Sequence, residues 1–548
     1  MARRPVHLAR RTVPLIGLLA AGACINVFWH TEPRDLPARA VGTAASPMAT
    51  EVRTPVKAHL RSGATVVFLR GATVTRTHVS GTAARYALMA NVASGPAALD
   101  SVPLDSIVGL ETFDGKVDPG ATLVVSAAAT VAGAFGTALL AVAIFGSCPT
   151  LYADTGSKAV LQAEGFSYAI APLFRQRDID PLVVARTREG VVRLELRNEA
   201  LETHHIDLLE LTRVTHAPNE VVVPDQRGGL VAVRDLQPPA SARDREGRDV
   251  RAVLREADAA TFASAPRRVA AARVGDLDDW IDLTVPAPGS PSTAGASDSL
   301  VVLLRLRNSL LNTILLYDGM LSGVGAMDWL SRDLANAAPA LALGQWYSNT
   351  MGMRAIVDGV PLAVGGLSRT SHARLGDVGP IAFRDVALVL PRPRVASGEP
   401  VHVRLRFVAD NWRIDQARIA FAYRRPPSVR VPVSRVYARM ADGRSVNDSA
   451  VVPMLRASDE RYLETRPGQR MTLEFDDADV MAADSTARYL VTWQGWYTEW
   501  VRPAWITGEA ATRRFVPGDS AVVTAMTRWR RSQAAFEKQF YASPLPTR

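Results

Sequence analysis

The sequence contains few cysteines and few lysines, and each scarcity excludes a class of protein. Its 548 residues include two cysteines, Cys24 and Cys148, too few for a disulfide framework or for a zinc site built from a cysteine cluster. Lysine is so rare that arginine supplies nearly all of the positive charge. The arginines are scattered among acidic residues although the net charge is +9. We therefore expect no nucleic-acid partner.

Charge is missing altogether from one long stretch. Residues 121–147 read ATLVVSAAATVAGAFGTALLAVAIFGS, and an apolar run of this length can cross a hydrocarbon core as a helix. Ala128, Ala132 and Gly136 recur at four-residue spacing, so one face of such a helix would allow close approach of another helix. We predict one transmembrane helix over residues 121–147. The alternative is a buried helix rich in small residues.

The amino terminus has the pattern of an export signal. Four arginines precede the short apolar run at residues 13–24, VPLIGLLAAGAC. Residues 21–24, AGAC, resemble a bacterial lipoprotein cleavage box, with Cys24 as the lipidated residue, although Ala21 stands where leucine is usual. An uncleaved anchor helix that continues through residues 25–29 is the alternative.

Short runs of β-branched residues, separated by Gly, Pro, Asp and Asn, predict a mostly β fold for the rest of the chain. Five such runs come before the apolar segment, at residues 56–60, 65–69, 73–80, 85–89 and 107–113. Five short strands in such a short stretch fit a small closed barrel, because closure leaves no exposed strand edge.

After residue 148 the same pattern continues, and only two stretches look helical, residues 326–337 and 520–540. The second is basic and amphipathic, so it either docks on its own domain or lies on a membrane surface. The predicted strands are residues 191–196, 206–214, 220–223, 300–306, 355–357, 401–407, 419–423, 471–475 and 489–493.

These patterns predict a mostly β protein with a small amino-terminal β-barrel, one transmembrane helix, tandem β-sandwich modules and a carboxy-terminal helix. The predicted segments are an export signal or anchor (1–30), a linker (31–55), the small β-barrel (56–117), the transmembrane helix (121–147), a β-sandwich module (148–285), a linker (286–297), a second β-sandwich module (298–430), a β-rich module (431–518) and a helix (519–548).

Two parts of the chain resemble known families. Residues 56–113, with an Arg-Ser-Gly turn after the first strand and the later motif VPLDSI, are similar to Sm-like small barrels that occur beside membrane segments in bacteria. Residues 148–505 resemble the β-rich carboxy-terminal region of bacterial envelope proteins that often carry tetratricopeptide repeats. The motifs are CPTLY at 148–152, DNW at 410–412 and QGWYTEW at 494–500. This resemblance implies exported β-sandwich modules and supplies no catalytic residue; the repeats themselves are missing here.

One motif suggests catalysis. Residues 154–157, DTGS, match the loop of aspartic proteases, in which two such loops bring two carboxylates together. The chain holds one copy, so Asp154 would need a symmetric dimer. The same residues are ordinary turn formers between strands at 149–153 and 159–163. We favour a hairpin turn and keep a membrane-tethered hydrolase of aspartic-protease type as the alternative function.

A histidine cluster suggests a metal site. His204 and His205 are adjacent in a predicted strand, with Asp207 and His216 nearby. Adjacent strand residues point to opposite faces, which leaves too few ligands on either face. We therefore expect no metal and no cofactor.

An aromatic cluster suggests a binding surface. Trp496 and Trp500 would share one face of a strand, and Tyr497 would take the other. We predict that at least one of these rings is solvent-accessible and binds a ligand, because exposed aromatic rings suit glycans and protein partners.

Together these observations favour a non-enzymatic protein of a bacterial cell membrane or envelope, with a binding or scaffolding role. Its predicted partners are the lipid bilayer and envelope proteins or glycans. The side of the membrane stays open. An exported amino terminus followed by one spanning helix would return residues 148–548 to the cytoplasm, whereas the family resemblance puts them outside.

Overall fold

A computed structural model describes residues 49–541 apart from sixteen gaps. The gaps are residues 54, 63, 69, 87–96, 113–147, 155–158, 168, 184–189, 289–296, 322–325, 327–336, 362–367, 440–444, 460, 478–486 and 508–514. The predicted export signal, Cys24 and the predicted transmembrane helix therefore lie outside the described residues. Among the helices that are described, none combines the length and the apolar composition needed to span a bilayer.

Strands dominate the described residues, which confirms the mostly β prediction. The strands are β1 (Thr50–Val52), β2 (Val56–Leu60), β3 (Thr65–Phe68), β4 (Ala72–Val74), β5 (His78–Tyr86), β6 (Ala97–Pro103), β7 (Ile107–Thr112), β8 (Thr150–Asp154), β9 (Ala159–Glu164), β10 (Gln176–Pro181), β11 (Val191–Arg197), β12 (Glu202–Thr215), β13 (Val221–Pro224), β14 (Leu230–Val233), β15 (Ser241–Asp244), β16 (Asp278–Pro286), β17 (Ser297–Asn308), β18 (Met353–Pro361), β19 (Ser368–Leu375), β20 (Arg384–Pro391), β21 (Pro400–Val408), β22 (Trp412–Arg424), β23 (Ser428–Pro432), β24 (Arg435–Arg439), β25 (Ser445–Asn447), β26 (Leu463–Thr465), β27 (Arg470–Asp476) and β28 (Ala487–Glu499).

Helices are few and short, except for the last one. They are α1 (Pro266–Ala271), α2 (Leu311–Ile314), α3 (Ala337–Met351), α4 (Pro503–Thr507) and α5 (Asp519–Tyr541). A π-helical turn, Leu315–Met320, continues α2, and 3-10 turns occur at Leu104–Ser106, Pro172–Phe174, Ala252–Leu254 and Val452–Leu455.

The first seven strands form one antiparallel sheet in the order β1-β4-β5-β3-β2-β7, with β6 paired to β5. Its ladder does not close within the described residues, so the closed barrel was a wrong prediction for this part of the chain. The outer edge of β7 forms hydrogen bonds with a later part of the chain instead of with β1. The Leu110 amide donates to the Val501 carbonyl oxygen at 2.9 Å, and the Val501 amide donates to the Leu110 carbonyl oxygen at 2.8 Å. Contact with the rest of the protein thus covers an edge that barrel closure would otherwise remove. The resemblance to Sm-like barrels stays a prediction.

The remaining strands form four sheets that enclose two β-sandwich cores, which confirms the predicted sandwich character. In the first sandwich, sheets β25-β24-β27-β11-β8-β9 and β10-β28-β12-β23, the latter with β26 paired to β12, enclose a core that includes Phe166, Phe475 and Trp493. In the second, sheets β13-β14-β22-β17-β20 and β15-β16-β21-β18-β19 enclose a core that includes Phe262, Phe407 and Trp412.

The second sandwich is inserted into the first along the chain. Strands β8–β12 and β23–β28 build the first sandwich, whereas β13–β22 build the second. The compositional linker at residues 286–297 thus falls between β16 and β17, which belong to the two facing sheets of one sandwich. The chain leaves and re-enters the first sandwich through β12 and β23, which pair antiparallel with each other.

Alternation along each strand explains which side chains reach these cores. In β21 the residues alternate between exposed and buried positions, so Val401, Val403 and Leu405 face the core. The intervening arginines lie on the outer face, where Arg404 pairs with Asp282 of β16 at 2.7 Å. A pleated strand places successive side chains on opposite faces. The same two-residue alternation of apolar and polar residues was the basis for predicting a strand at residues 401–407.

The carboxy-terminal helix docks on the protein, one of the two interpretations that its sequence allowed. Val522, Met526 and Trp529 of α5 are buried in a cluster with residues of α2 and α3. The Trp529 Nε1 donates to the Asp410 carboxylate at 2.6 Å. Residues 327–336 of the other predicted helix, 326–337, lie outside the described residues, and α3 covers Ala337–Met351.

A buried arginine joins the two sandwiches. Arg384 of β20 donates to Asp178 Oδ1 at 2.9 Å, to Asp180 Oδ2 at 3.3 Å and to the Glu164 carbonyl oxygen at 3.1 Å. Both aspartates belong to β10 of the first sandwich and are almost completely buried. The negative charges around Arg384 outweigh its burial and raise the pKa of its guanidinium, so the group is a permanent cation between two acids.

Removal of this cation is expected to destabilise the protein strongly. Arg384→Ala leaves Asp178 and Asp180 buried without a counter-charge, which typically costs about 3–5 kcal/mol. We expect the free energy of unfolding, measured by urea titration with tryptophan fluorescence, to fall by that amount. The matched control is Arg404→Ala, whose ion pair with Asp282 is 46% and 41% exposed and is worth about 1 kcal/mol or less. Equal losses in the two variants would contradict the role of Arg384.

Candidate functional site

A cavity of about 640 Å³ lies where the first sandwich, the inserted helices and Phe515 meet. This volume is in the range of small-molecule sites, which are mostly apolar with a few placed polar groups. Its apolar lining is Ile170, Phe174, Leu315, Leu316, Met320, Leu343, Trp346, Tyr347 and Phe515, and its charged lining is Arg175, Arg177 and Asp377. The arrangement suits a ligand with a large apolar body.

Local structure explains how the aromatic walls are built. The 3-10 turn Pro172–Phe174 brings Phe174 against α3 at Gly344, where a Cβ atom would collide with the Phe174 ring. Gly344 therefore permits the close approach of this wall to the helix. On the same helix, Trp346 packs edge-on against Phe515, with ring centroids 6.0 Å apart.

Asp377 places a carboxyl group in this wall. Its Oδ2 accepts hydrogen bonds from the Tyr347 hydroxyl at 2.8 Å and from Asn312 Nδ2 at 2.6 Å. Its Oδ1 has no hydrogen-bond partner among the described residues. Burial raises the pKa of Asp377 well above its ordinary value, and the nearby Glu164 adds to this rise. The protonated, uncharged form of Asp377 is therefore favoured.

The aromatic cluster near residue 500 is buried, so the prediction that one of its rings is exposed was wrong. Trp496, Tyr497 and Trp500 are 2%, 1% and 6% exposed. Other parts of the chain cover them: His59 of the amino-terminal sheet stacks on Trp500, with ring centroids 3.7 Å apart, and His205 stacks on Trp496 at 3.8 Å. Exposure was the only local support for assigning ligand binding to these three residues.

The same contact buries a group of charges between the amino-terminal sheet and β12. Glu111 lies 3.0 Å from His59 Nε2 and 3.9 Å from Lys57 Nζ, and across the interface His205 Nδ1 lies 3.6 Å from Glu464. Burial lowers the pKa of His59 to about 4 and raises that of Glu464 to about 7. The His59–Trp500 stack therefore ties the amino-terminal sheet to the first sandwich, whereas the His205–Trp496 stack lies within that sandwich.

The histidine cluster does not come together as a metal site. His204 Nε2 lies 2.7 Å from Glu202 on one side of β12, whereas His205 stacks on Trp496. His216 lies beyond the end of β12 and interacts with the Ala217 carbonyl. Within the described residues, no group of three or more His, Cys, Asp or Glu side chains could hold a metal ion.

Asp154 ends β8, which pairs with β9 in an antiparallel hairpin with Asp154 opposite Ala159. This confirms the two strands predicted on either side of the DTGS motif. Residues 155–158 and the environment of the Asp154 side chain lie outside what the structure describes. The hairpin agrees with the turn interpretation, and no described contact favours a protease.

A buried carboxyl pair was not predicted from the sequence. Glu202 of β12 lies opposite Glu499 of β28 in the ladder, and both side chains are buried. Glu202 accepts a hydrogen bond from the Cys148 amide, and Glu499 accepts one from Arg502 at 3.1 Å. Burial raises the pKa of Glu202 to about 8 and lowers that of His204 to about 3. The two acids lie far apart in the sequence, so no local sequence motif predicts that Glu202 and Glu499 will meet.

Cys148 is tied into this buried region. Its backbone has a positive φ of 99°, a conformation that costs strain for a residue with a side chain. Its amide bonds to Glu202, and its thiol lies 3.4 Å from the Ser167 hydroxyl. The CPTLY motif thus begins at a residue with a strained backbone, and the described contacts of this residue fix it to Glu202 and Ser167.

Comparison with known proteins identifies no family. No family model and no curated protein match the chain. Solved structures with weak likeness include a mutant VP2 protein of infectious bursal disease virus, at 8% identity, 70% coverage of this chain, 94% of that chain and a TM-score of 0.11. A structure of the Gt strain of the same virus has 10% identity, 71% and 97% coverage and a TM-score of 0.11. Likeness at this level carries no inference about fold or function.

The carboxyl pair makes a pH-dependent prediction. The folded pKa of Glu202, about 8, exceeds its ordinary value of 4.5, so the folded protein binds more protons between these pH values. Stability from this group is therefore present below pH 4.5 and is lost as the pH rises toward 8. Glu202→Gln removes the ionisation, and we expect its stability relative to the wild type to improve by at least about 2 kcal/mol from pH 5 to pH 8.5.

Thermal unfolding of both proteins across this pH range measures the difference. The effects of distant buried acids cancel when the variant is compared with the wild type. Glu499 interacts directly with Glu202, so the difference between the two curves reports the titration of this pair. The control is Glu256→Gln, at a side chain that is 72% exposed. A Glu202→Gln curve that stays parallel to the wild-type curve would show that Glu202 ionises normally in the folded protein.

Proposed function

We propose that this chain is a non-enzymatic binding protein attached to a bacterial cell membrane or envelope, and that its ligand site is the cavity between the first sandwich and α3. The observation that carries the proposal is the cavity itself, with aromatic and aliphatic walls and few polar groups. A site of this kind holds a small molecule by burying its apolar surface.

The polar groups of the cavity support binding over catalysis. Arg175 is held by Asp207 at 3.0 Å, and Asp377 is held by Tyr347 and Asn312. The described lining residues do not include a hydroxyl or thiol nucleophile hydrogen-bonded to a histidine base, the arrangement that covalent hydrolysis uses. The cavity thus offers groups that orient a ligand.

The sequence supports the membrane attachment. Residues 121–147 carry no charge over a length that can span a bilayer, and residues 1–30 have the pattern of an export signal or anchor. The resemblance of residues 148–505 to envelope proteins agrees with this location. Envelope proteins and glycans stay the proposed partners of the outer surfaces.

Membrane attachment is tested by fractionation of cells that express the full chain. We expect the chain to stay in the membrane pellet after alkaline carbonate extraction. Phe135→Arg combined with Leu139→Arg should reduce this fraction, because each arginine near the centre of a spanning helix costs about 2.5–3.5 kcal/mol. Recovery of the wild-type chain in the soluble fraction would contradict the proposal.

Ligand binding is tested with 8-anilinonaphthalene-1-sulfonate, a probe with an apolar aromatic body. We expect its fluorescence to rise on binding to the wild type. Leu343→Trp, which fills the cavity from α3, should weaken the probe's affinity at least tenfold. The control is Val274→Trp, at a position that is 65% exposed and outside the cavity. Equal affinities of the wild type and Leu343→Trp would place the probe elsewhere and contradict the proposed site.

A further inference from the structure

A row of three arginines crosses the outer face of the second sandwich. Arg354 of β18 lies opposite Arg374 of β19 on one side and opposite Arg406 of β21 on the other. The adjacent residues Ala355 and Leu405 are buried in the core, so the arginines point away from it. Arg374 is exposed, the Arg406 side chain is 46% exposed and Arg354 is half-buried. Like charges directly opposite each other destabilise a sheet unless other charges offset them.

The chain offsets this row only in part. Asp278 of β16 forms an ion pair with Arg406. Among the described residues, no carboxylate lies within ion-pair distance of Arg354 or Arg374. Burial lowers the pKa of the Arg354 guanidinium, and repulsion from Arg374 and Arg406 lowers this pKa further. Three guanidinium groups thus face one carboxylate, which leaves a surplus of positive charge at the surface.

Two of the guanidinium groups converge on one residue near the end of α3. Arg354 Nη2 donates to the Asn349 carbonyl oxygen at 3.1 Å, and Arg374 Nη1 donates to Asn349 Oδ1 at 2.7 Å. The carboxyl end of a helix carries about half a negative charge, so α3 compensates only a fraction of the surplus. A guanidinium group has several further N–H donors, and those of Arg354 and Arg374 stay available to a ligand.

The size of the row indicates a small anion. Neighbouring strands lie about 4.8 Å apart, so three arginines on adjacent strands span about 10 Å. One or two phosphate groups fit this length, whereas an anionic polymer is bound along a longer basic track. Phosphate oxygens also match the planar fork of a guanidinium group, which can bind two of them at once.

We propose that Arg354, Arg374 and Arg406 bind a phosphate group of a small ligand on the outer face of the second sandwich. The phosphate oxygens accept hydrogen bonds from the guanidinium donors, and the bound anion replaces repulsion within the row by attraction. A soluble phosphate compound and the head group of an anionic phospholipid share this chemistry. None of the three arginines lines the cavity, although Asn349 borders both places. The inference therefore stands apart from the proposed ligand of the cavity.

The experiment uses two probes, pyrophosphate and dihexanoyl-phosphatidylglycerol. Each is titrated by calorimetry against the full chain in a neutral detergent without divalent metals. We expect saturable binding with a dissociation constant below about 1 mM, the strength that a few charge-assisted hydrogen bonds supply. Tighter binding of pyrophosphate identifies a soluble phosphate compound as the source, and tighter binding of the lipid identifies a head group. No binding of either probe would overturn the inference.

Single substitutions test whether the row is the site. Arg374→Gln and Arg354→Gln should each weaken binding of the tighter probe by about tenfold or more, because each removes a hydrogen bond between charged groups. The control is Arg255→Gln, which removes the same charge from a side chain that is 69% exposed and outside the row. Equal losses in Arg374→Gln and Arg255→Gln would mean that net charge alone attracts the probe, which would refute the assigned site.

A purely structural role of Arg374 predicts a different result. If Arg374 only held the end of α3 through Asn349, Arg374→Gln would lower the melting temperature and leave the affinity for the probe unchanged. We expect the ligand-free variant to melt no lower than the wild type, because the substitution relieves repulsion in the row. Pyrophosphate should raise the melting temperature of the wild type more than that of the variant. A lower melting temperature with unchanged affinity would decide for the structural role and against the inference.

Discussion

Arg384 and the two aspartates around it set the relative position of the two sandwiches. The arginine comes from the first residue of β20 in the inserted sandwich, and both acids come from β10 in the other. A buried charge is tolerated only with close partners of opposite sign. Any displacement of one sandwich against the other would separate these groups inside the protein. The indole of Trp493 donates to Asp180 at 3.2 Å, which ties this ion pair to the core of the first sandwich.

The position of the cavity follows from this arrangement. Its residues come from both sandwiches and from the helices of the inserted segment. Arg175 precedes β10, Leu316 follows α2, Trp346 lies on α3 and Asp377 lies between β19 and β20. Asp377 and Arg384 are thus separated by a short segment, whose Ile381 and Ala382 amides bind Glu164 at 2.7 and 3.0 Å. The same contacts that hold the sandwiches together therefore hold the carboxyl wall of the cavity, as is common for ligand sites at domain junctions.

Buried acids recur at the contacts between parts of this chain. Glu164 lies between the sandwiches, and Glu202 of β12 lies opposite Glu499 of β28. Glu111 belongs to β7 of the amino-terminal sheet, on the side that meets the first sandwich. Each is held by backbone amides, histidine or arginine, which limits the cost of burial. Glu164, Glu202 and Asp377 each keep one carboxyl oxygen without a hydrogen-bond partner among the described residues.

The sequence by itself determined the local elements. Alternation along residues 401–407 predicted β21, turn residues between two apolar runs predicted the β8–β9 hairpin, and an amphipathic period predicted α5. These patterns are local because side-chain direction depends on the backbone period of two or 3.6 residues. Tertiary structure alone decided which strands meet, and so the burial of Trp500 under His59, the meeting of Glu202 with Glu499 and the wall around Asp377. Each depends on partners far apart in the chain, and a local pattern shows which residues are apolar but not what will cover them.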